Sequence, residues 1–450
     1  MALLIKEEPP RPQKAARCLD ERRTVSLISV FQNVMVIMLA RAWTDALFEV
    51  GFPLALDRPL HSGGSCTYHI EYLSSAMFSG ALLTTLVASC FGKGPVGTMV
   101  PAVVGMCMSS TLTPAVLACR KAEMSVVDDI GDGHHPVQYD LLGVAVGYLF
   151  VALSVFIVLS EINMRCFSKG NFFFSLVFLA SSFLSISVAA VFNATSKEYL
   201  AFFAHPYLVA YVTHVVQVVR LPSPSLLQSM WAMAAFLWLP RLLAPLSRPL
   251  TARPYLLDFV IKLFAFYVAF QILNAALTIV AEFSRSTVLV SESAAPLWQK
   301  AALALSMAFF AILRAVWPMS AEELEMAKKR KGLACIAKEG INSKEAVEEV
   351  REAFVDHTVG MSLGWSWHPF VKAVFLLASS RFSSEPQQEA TAVAVYSLAM
   401  TLLAGSVYAW LWYLKSETQA AEGAADAGFT ADDGGGDGDG GGDDGGGGGD

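Results

Sequence analysis

Charged residues are scarce in this chain. Asp, Glu, Lys and Arg make up 16% of its 450 residues, whereas soluble domains carry about 25%. The apolar blocks are continuous runs rather than the period-two alternation of half-buried strands. Because backbone groups in hydrocarbon are satisfied only in helices or closed barrels, these runs predict helices. The expected fold class is all-α, a polytopic integral membrane bundle of about ten transmembrane helices.

Motifs for catalysis and cofactor binding are missing as well. No P-loop, kinase, GxSxG, HExxH or dinucleotide-binding fingerprint occurs in a suitable context. The seven cysteines lack the CxxC spacing of a zinc site, so neither a metal nor a cofactor is expected. Cys66 and Cys119 both fall near the predicted outer face and are a candidate disulfide. An enzyme is therefore disfavoured, and no nucleic-acid partner is expected.

Ten segments are predicted to span a membrane, which takes about 20 residues of helix. They are 24–48, 71–91, 96–118, 141–160, 172–192, 199–219, 255–281, 297–317, 357–380 and 391–414. An eleventh apolar segment, 225–240, has only sixteen residues and ends at Pro240. Three further prolines follow it. We therefore predict that 223–254 is a re-entrant or interfacial segment.

The distribution of Lys and Arg predicts the orientation, because cytoplasmic loops carry an excess of both. With ten spans and a cytoplasmic N-terminus, 21 of the 32 basic residues face the cytoplasm and 6 face outside. A crossing at 225–240 in addition would change these numbers to 12 and 15. Both termini are therefore predicted to be cytoplasmic. Asn193 begins an Asn-Ala-Thr sequon in a predicted outer loop and is a glycosylation candidate.

The predicted domain organisation follows from the spans. A basic cytoplasmic N-terminus (1–23) precedes spans one to eight (24–317), and spans nine and ten (357–414) come later. Between them, 318–356 carries two capping-box patterns and predicts a cytoplasmic amphipathic helical hairpin. The Gly/Asp-rich tail, 415–450, holds ten acidic residues and is predicted to be disordered. Without those acids, the net charge of −7 becomes +3.

Ionisable residues inside membrane spans are costly and are usually functional. Three predicted spans carry two of them at the i,i+4 spacing, which places both on one helix face. The pairs are Arg41 with Asp45, Asp258 with Lys262, and His368 with Lys372. An acid and a base lower each other's desolvation cost. The third pair consists of two bases, so it needs either an acid from another helix or a neutral histidine.

Two of these spans resemble each other in sequence. LARAWTDALFEV (39–50) and LGWSWHPFVKAV (363–374) align without a gap on Trp43 and Trp367. If the helices are equivalent, both tryptophans lie at one depth as packing or gate residues, and Asp45 faces His368 and Lys372. Two alternatives stay open: the resemblance arises by chance, and Arg41 with Trp43 anchors the end of the first span at the interface.

Polar stripes occur on two more spans and either join helices or line a water-filled path. One stripe consists of Tyr207, Tyr211, His214 and Gln217, and the other of Tyr267, Gln271, Asn274 and Thr278. The candidates for a pathway or for ion coupling are Arg41, Asp45, His214, Asp258, Lys262, Gln271, Asn274, His368 and Lys372.

These residues predict a transporter or channel in the lipid bilayer for an ion or small solute. Proton coupling through the Asp, His, Arg and Lys groups is the natural version, since histidine titrates near neutral pH. The alternative is a non-transporting scaffold or sensor. In that case, the hairpin at 320–356 and the acidic tail bind a cytoplasmic protein.

Overall fold

The computed structural model describes residues 12–47, scattered positions between 75 and 91, and residues 94–110, 139–166, 171–203, 224–250, 253–283, 296–316, 343–379 and 386–431. This part of the chain contains nine complete helices and no strand. They are α1 (Pro12–Ala46), α2 (Pro95–Ser110), α3 (Tyr139–Cys166), α4 (Asn171–Phe203), α5 (Pro224–Leu250), α6 (Pro254–Phe283), α7 (Leu297–Val316), α8 (Ser343–Ser379) and α9 (Pro386–Ala431). The prediction of an all-helical fold is confirmed.

Prolines define where most of these helices begin. Five helices start at a proline: Pro12, Pro95, Pro224, Pro254 and Pro386. The N–H groups in the first turn of a helix have no acceptor within the helix, so a proline there loses no hydrogen bond. Its fixed φ also favours the helical conformation. The residues just before two of these starts accept first-turn bonds, as the carbonyl of Gly94 does from the Thr98 amide at 3.2 Å.

Six of the described helices contain a stretch long and apolar enough to cross a membrane. These stretches are Ser26–Ala46, Leu142–Asn163, Ser175–Lys197, Leu226–Leu243, Tyr255–Val280 and Ala390–Glu417. Two shorter apolar helices, Pro95–Ser110 and Leu297–Ile312, accompany them. The described residues thus form a multi-pass helical membrane protein, but with six such stretches rather than the ten predicted spans. The predicted ninth span lies in α8, whose many polar side chains keep it out of this group.

The helices are arranged as an inner and an outer set. Stretches in α4 and α1 are 78% and 61% buried, whereas those in α3, α5 and α9 are only 17%, 22% and 28% buried. The outer helices expose large apolar side chains, including Phe150, Trp238 and Leu402. A helix that is apolar on its exposed face has its favoured neighbour in lipid. The apolar outer surface is therefore the surface that contacts the bilayer.

The segment between α4 and α6 differs from its prediction. We predicted spans at 172–192 and 199–219 with an outer loop between them, yet α4 is one helix from Asn171 to Phe203. The predicted interfacial segment 223–254 is instead mostly the 27-residue helix α5. This helix continues past Pro240 because a proline costs less in membrane helices, where neighbouring groups satisfy the freed carbonyls. Residues 204–223 lie outside the described chain.

Side-chain contacts fix how α5 runs. Gln228 donates to Gln271 of α6 at 2.8 Å, and Trp231 donates to Tyr267 at 2.9 Å. A later residue of α5 thus contacts an earlier residue of α6, so the two helices are antiparallel. Asn193 of α4 accepts from the same Gln271 at 3.0 Å. The end of α4 and the start of α5 therefore lie at one end of the bundle.

Helix α1 packs against both α8 and α9. Ser26 donates to Asp356 and Lys372 donates to Asp45, so α1 and α8 are parallel. Ser397 donates to the carbonyl of Ala42, and Lys415 donates to Ser29 at 3.1 Å. The order of these contacts makes α1 and α9 antiparallel. Ser29 and Lys415 consequently lie at the same end of the bundle, opposite Asp45.

Two predicted cytoplasmic segments are partly described. The predicted boundary at 356/357 between the hairpin and span nine falls inside α8, which is continuous. Val350 and Phe354, assigned to the hairpin, are buried against α5 and α6. Helix α9 continues to Ala431, within the predicted tail 415–450. Residues 317–342 and 432–450 lie outside the described chain.

Candidate functional site

One group of ionisable side chains from two helices of the described bundle surrounds Asp45. The ammonium Nζ of Lys372 lies 2.8 Å from Asp45 Oδ2, and His368 Nε2 lies 3.8 Å from the same oxygen. Asp45 is at the end of α1, whereas both bases are on α8. One carboxylate oxygen thus faces two bases from a second helix. The side chains of Asp45 and Lys372 are 20% and 18% exposed, so this ion pair is partly accessible from the surface of the bundle.

His368 is enclosed more completely than the ion pair beside it. The residue is 1% exposed, and neither ring nitrogen has a hydrogen-bond partner among the described residues. The Tyr396 hydroxyl of α9 is likewise buried without a described partner, and the two rings are 5.8 Å apart between centroids. Buried polar atoms are nearly always paired, so each unpaired one calls for an explanation. These two mark an unusual polar spot beside Asp45.

Proline modifies the helix at the same place. Pro369 lies inside α8, directly after His368. Proline has no N–H and cannot donate to the carbonyl four residues earlier, which here belongs to Trp365. The backbone of α8 therefore presents one carbonyl free of its usual helical bond within a turn of His368.

Aromatic side chains surround this cluster. The Arg41 guanidinium lies 5.1 Å from the ring centroid of Trp365, which is cation–π distance. Trp43 donates from Nε1 to Thr401 of α9 at 3.0 Å. Trp367 packs edge-on against Phe370 at 5.9 Å. Trp43 and Trp367 both contact one apolar cluster, which gives them packing positions. Their role as gates remains a prediction.

The contact that the sequence resemblance suggested is present. Asp45 of the first motif meets His368 and Lys372 of the second, on parallel helices. A spacing signal that the sequence reasoning missed explains why these helices are adjacent. Gly360 and Gly364 form a GxxxG pattern, and this pattern allows two membrane helices to approach closely. A Cβ at Gly360 would lie 2.8 Å from Asn33 Cβ, and one at Gly364 would lie 2.9 Å from Ile37 Cβ.

A second polar group joins α4, α5 and α6. Asn193 Oδ1 accepts from Gln271 Nε2 at 3.0 Å and from Asn274 Nδ2 at 2.7 Å. Gln228 Nε2 donates to Gln271 Oε1 at 2.8 Å. Gln271 is fully buried, so these amides join helices in the way that polar residues do in membranes. Of the two predicted stripes, this one is described, and it joins helices.

The same geometry bears on the glycosylation candidate. Asn193 was predicted to lie in an outer loop, but it is inside α4, toward its C-terminal end, and its side chain accepts two hydrogen bonds. Thr195 of the sequon is 3% exposed and donates to the carbonyl of Val191. A sequon that accepts a glycan lies in an exposed, extended segment. Residues 193–195 are instead helical, so this geometry does not favour glycosylation of Asn193.

The remaining ionisable pair stays within one helix. Lys262 Nζ lies 2.7 Å from Asp258 Oδ2, at the predicted i,i+4 spacing on α6. Lys262 also lies 4.9 Å from the ring of Phe178 on α4. Asp258 is 44% exposed, which fits a pair near the edge of the bundle. A pathway role for Asp258 and Lys262 stays a prediction.

A further set of polar contacts lies at the other end of the α1–α8 interface. Ser26 donates to Asp356 Oδ1 at 2.7 Å, and Asn33 Nδ2 lies 3.1 Å from His357 Nδ1. Lys415 of α9 reaches Ser29 at the same end. The α1–α8 interface thus has polar contacts at both ends. Between them, at Gly360 and Gly364, the two helices are in close contact.

Other predicted site residues lie outside the described chain. They are His214, with its stripe on 199–219, and the candidate disulfide pair Cys66 and Cys119. Among the described residues, no three His, Cys, Asp or Glu side chains form a group that could hold a metal ion. Comparison of the chain with protein-family models, with curated proteins and with solved structures finds no match. The site therefore has to be interpreted from its own chemistry.

Proposed function

We propose that this protein is a multi-pass membrane transporter for an ion or small solute, and that Asp45 is its ion-coupling group. The supporting observation is the single carboxylate of Asp45 at the end of an apolar helix, which two bases of another helix share. Ionisable groups in membrane helices are rare and usually belong to ion pathways or proton relays. Lys372 supplies the exchangeable proton that coupling requires, and His368 places a ring nitrogen beside the same carboxylate oxygen.

The closed interface between the two polar ends favours a transporter over an open channel. Near Gly360 and Gly364, the backbones of α1 and α8 are too close for even one added carbon atom. A solute moving along this interface requires the two helices to separate. Alternating access through rocking of packed helices has this requirement, whereas an open pore does not.

The orientation is part of the same proposal. Basic residues are concentrated in residues 6–23, at the end of α5 and just after it (Arg241, Arg248 and Arg253), and between α7 and α8. Replacing the predicted crossing at 199–219 by one at 226–243 leaves the side of every later connection unchanged. The positive-inside rule then places both termini in the cytoplasm. In that orientation the Asp45 cluster lies toward the outer face, and Asp356 and His357 lie toward the cytoplasm.

The test is flux into liposomes that contain the purified protein. We expect solute- or ion-dependent flux that falls at least about tenfold in Asp45→Asn and in His368→Ala, which corresponds to about 1.4 kcal/mol. Glu161→Gln is the matched control. Glu161 forms an ion pair between helices with Arg253, at 2.9 Å, away from Asp45. Correctly inserted wild type and control should transport alike.

Unchanged flux in both site variants would remove Asp45 and His368 from the mechanism. The absence of any flux from correctly inserted wild type would favour the scaffold or sensor. That alternative predicts a cytoplasmic partner that is lost when 320–342 is deleted. The deletion should stop there, because Val350 and Phe354 belong to the buried core of the bundle.

A further inference from the structure

The arrangement at Asp45 suggests which class of solute the transporter takes, and this inference rests on the proposed function. Lys372 places an ammonium ion on the carboxylate oxygen at 2.8 Å, the distance of a strong charge-assisted bond. The position of a cation on Asp45 is therefore already occupied by a cation of the protein. A solute cation that takes this position on the oxygen displaces Lys372.

Charge balance determines what happens to the displaced lysine. A net charge in a low-dielectric region is costly, whereas a paired one is tolerated. A cation on Asp45 beside a still-charged Lys372 would add one positive charge to a cluster that already contains Arg41. The cluster keeps its charge only if Lys372 loses a proton when the cation binds. A neutral lysine amine at the edge of the partly exposed site can leave the carboxylate.

We propose that Asp45 binds a small monovalent cation in exchange for one proton of Lys372. The carboxylate–ammonium pair plus the cation gives the carboxylate–cation pair, a neutral Lys372 amine and one proton released to water. No bond other than the N–H bond of Lys372 breaks, and the total charge is the same on both sides. Lys372 thus competes with the solute cation for the Asp45 carboxylate. Binding of the cation is therefore coupled to release of one proton.

The unpaired polar atoms supply the additional ligands. His368 Nε2, 3.8 Å from Asp45 Oδ2, offers a neutral lone pair, and the buried Tyr396 hydroxyl offers an oxygen. One carboxylate with neutral donors suits a monovalent ion, because calcium and magnesium sites use more oxygen ligands and more carboxylates. Among the residues that the structure describes, the other charged or titratable groups near the site include Arg41 on α1 and Cys107 on α2, whose thiol donates to the Ala40 carbonyl.

The test measures binding directly and needs no flux. The full-length protein in lipid nanodiscs receives sodium, potassium or lithium chloride in weakly buffered solution, with a pH indicator present. N-methylglucamine chloride, whose cation is too large for the site, controls for ionic strength and chloride. We expect one proton released per cation bound. The apparent affinity for the cation should rise about tenfold per pH unit while Lys372 carries the exchangeable proton.

Three variants separate the roles. Lys372→Gln should still bind the cation, should release no proton, and should lose the pH dependence of its affinity. Lys372→Arg should not bind the cation, because a guanidinium keeps its proton. Asp45→Asn should neither bind nor release. Arg253→Gln, which removes a base from the ion pair with Glu161, is the matched control and should behave as wild type.

Three results would overturn the exchange: cation binding by wild type without proton release, proton release that persists in Lys372→Gln, or no cation binding by wild type at any pH. Should Asp45→Asn fail to fold, the contrast between Lys372→Gln and Lys372→Arg decides alone, because both leave the carboxylate in place. If flux is found for a solute while no cation binds, the proposed transport stands and only this inference fails.

Discussion

The close approach of α1 and α8 gives the sharpest stability prediction. A Cβ at Gly364 would meet Ile37 Cβ at 2.9 Å, Ile37 Cγ2 at 3.0 Å and the Val34 carbonyl at 3.2 Å. Carbon atoms in contact prefer about 3.5–4.0 Å, so the helices would have to separate by roughly 0.6–1.1 Å. Truncating Ile37 to alanine would remove Cγ2 but leave the contacts with Cβ and with the Val34 carbonyl, so it cannot fully relieve the overlap.

The magnitude follows from the cost of overpacking, about 1–3 kcal/mol for each inserted group. The double variant Gly360→Ala with Gly364→Ala should therefore lose about 2–6 kcal/mol of unfolding free energy if the two costs add. A matched control exists in the same chain. Gly143 and Gly147 of α3 have the same spacing, and a Cβ at either one has no neighbour within 4 Å.

The assay compares the two double variants with wild type by equilibrium unfolding in mixed detergent micelles, followed by tryptophan fluorescence and circular dichroism. Gly143→Ala with Gly147→Ala should change the stability little, or raise it by up to about 1 kcal/mol per site through helix propensity. If the α8 variant is as stable as the α3 variant, the helices are not in the contact that the structure shows. The reasoning would then be refuted.

Three further predictions concern single side chains. Gln271→Leu should cost about 1–3 kcal/mol, because it leaves the buried amide of Gln228 without its acceptor; unchanged unfolding would contradict the amide network. Ser397→Ala should cost only about 0.5–1.5 kcal/mol, since it removes one bond to the Ala42 carbonyl and leaves no buried donor behind; a larger loss would point to another role. Asn193 should stay unmodified in a glycosylating host, so glycosidase treatment should not shift the mass of the protein.

Much of the fold could be predicted because apolar runs of membrane length leave few alternatives to helices. The stretches in α3, α6 and α9 lie close to their predicted positions for this reason. The error between 193 and 254 has two physical sources. Asn193, Thr195 and Ser196 of α4 were placed in a loop, although each has a hydrogen-bond partner within the helical bundle. The prolines after Pro240 were taken as a helix end, which holds in water better than in a membrane.

The ionisable residues of the site could be predicted from the sequence, but the residues that surround them could not. The intramembrane acid and bases stood out because hydrocarbon makes them costly. Tyr396 did not, since an isolated tyrosine in a span usually anchors the interface. The GxxxG pattern at Gly360 was available in the sequence. An identical pattern at Gly143 faces open space, however, so spacing alone could not tell which one brings two helices together.

The position of α1 has a consequence for how the protein is made. Its polar side chains find their partners on α8 and α9, between 324 and 358 residues later in the chain. Until those helices are synthesised and inserted, Asn33, Trp43 and Asp45 lack these partners. This part of the inner packing therefore forms only after α8 and α9 have been made. A chain truncated before α8 would lack Lys372 and His368, the partners of Asp45. We expect its exposed carboxylate to mark the incomplete protein for degradation by membrane quality control.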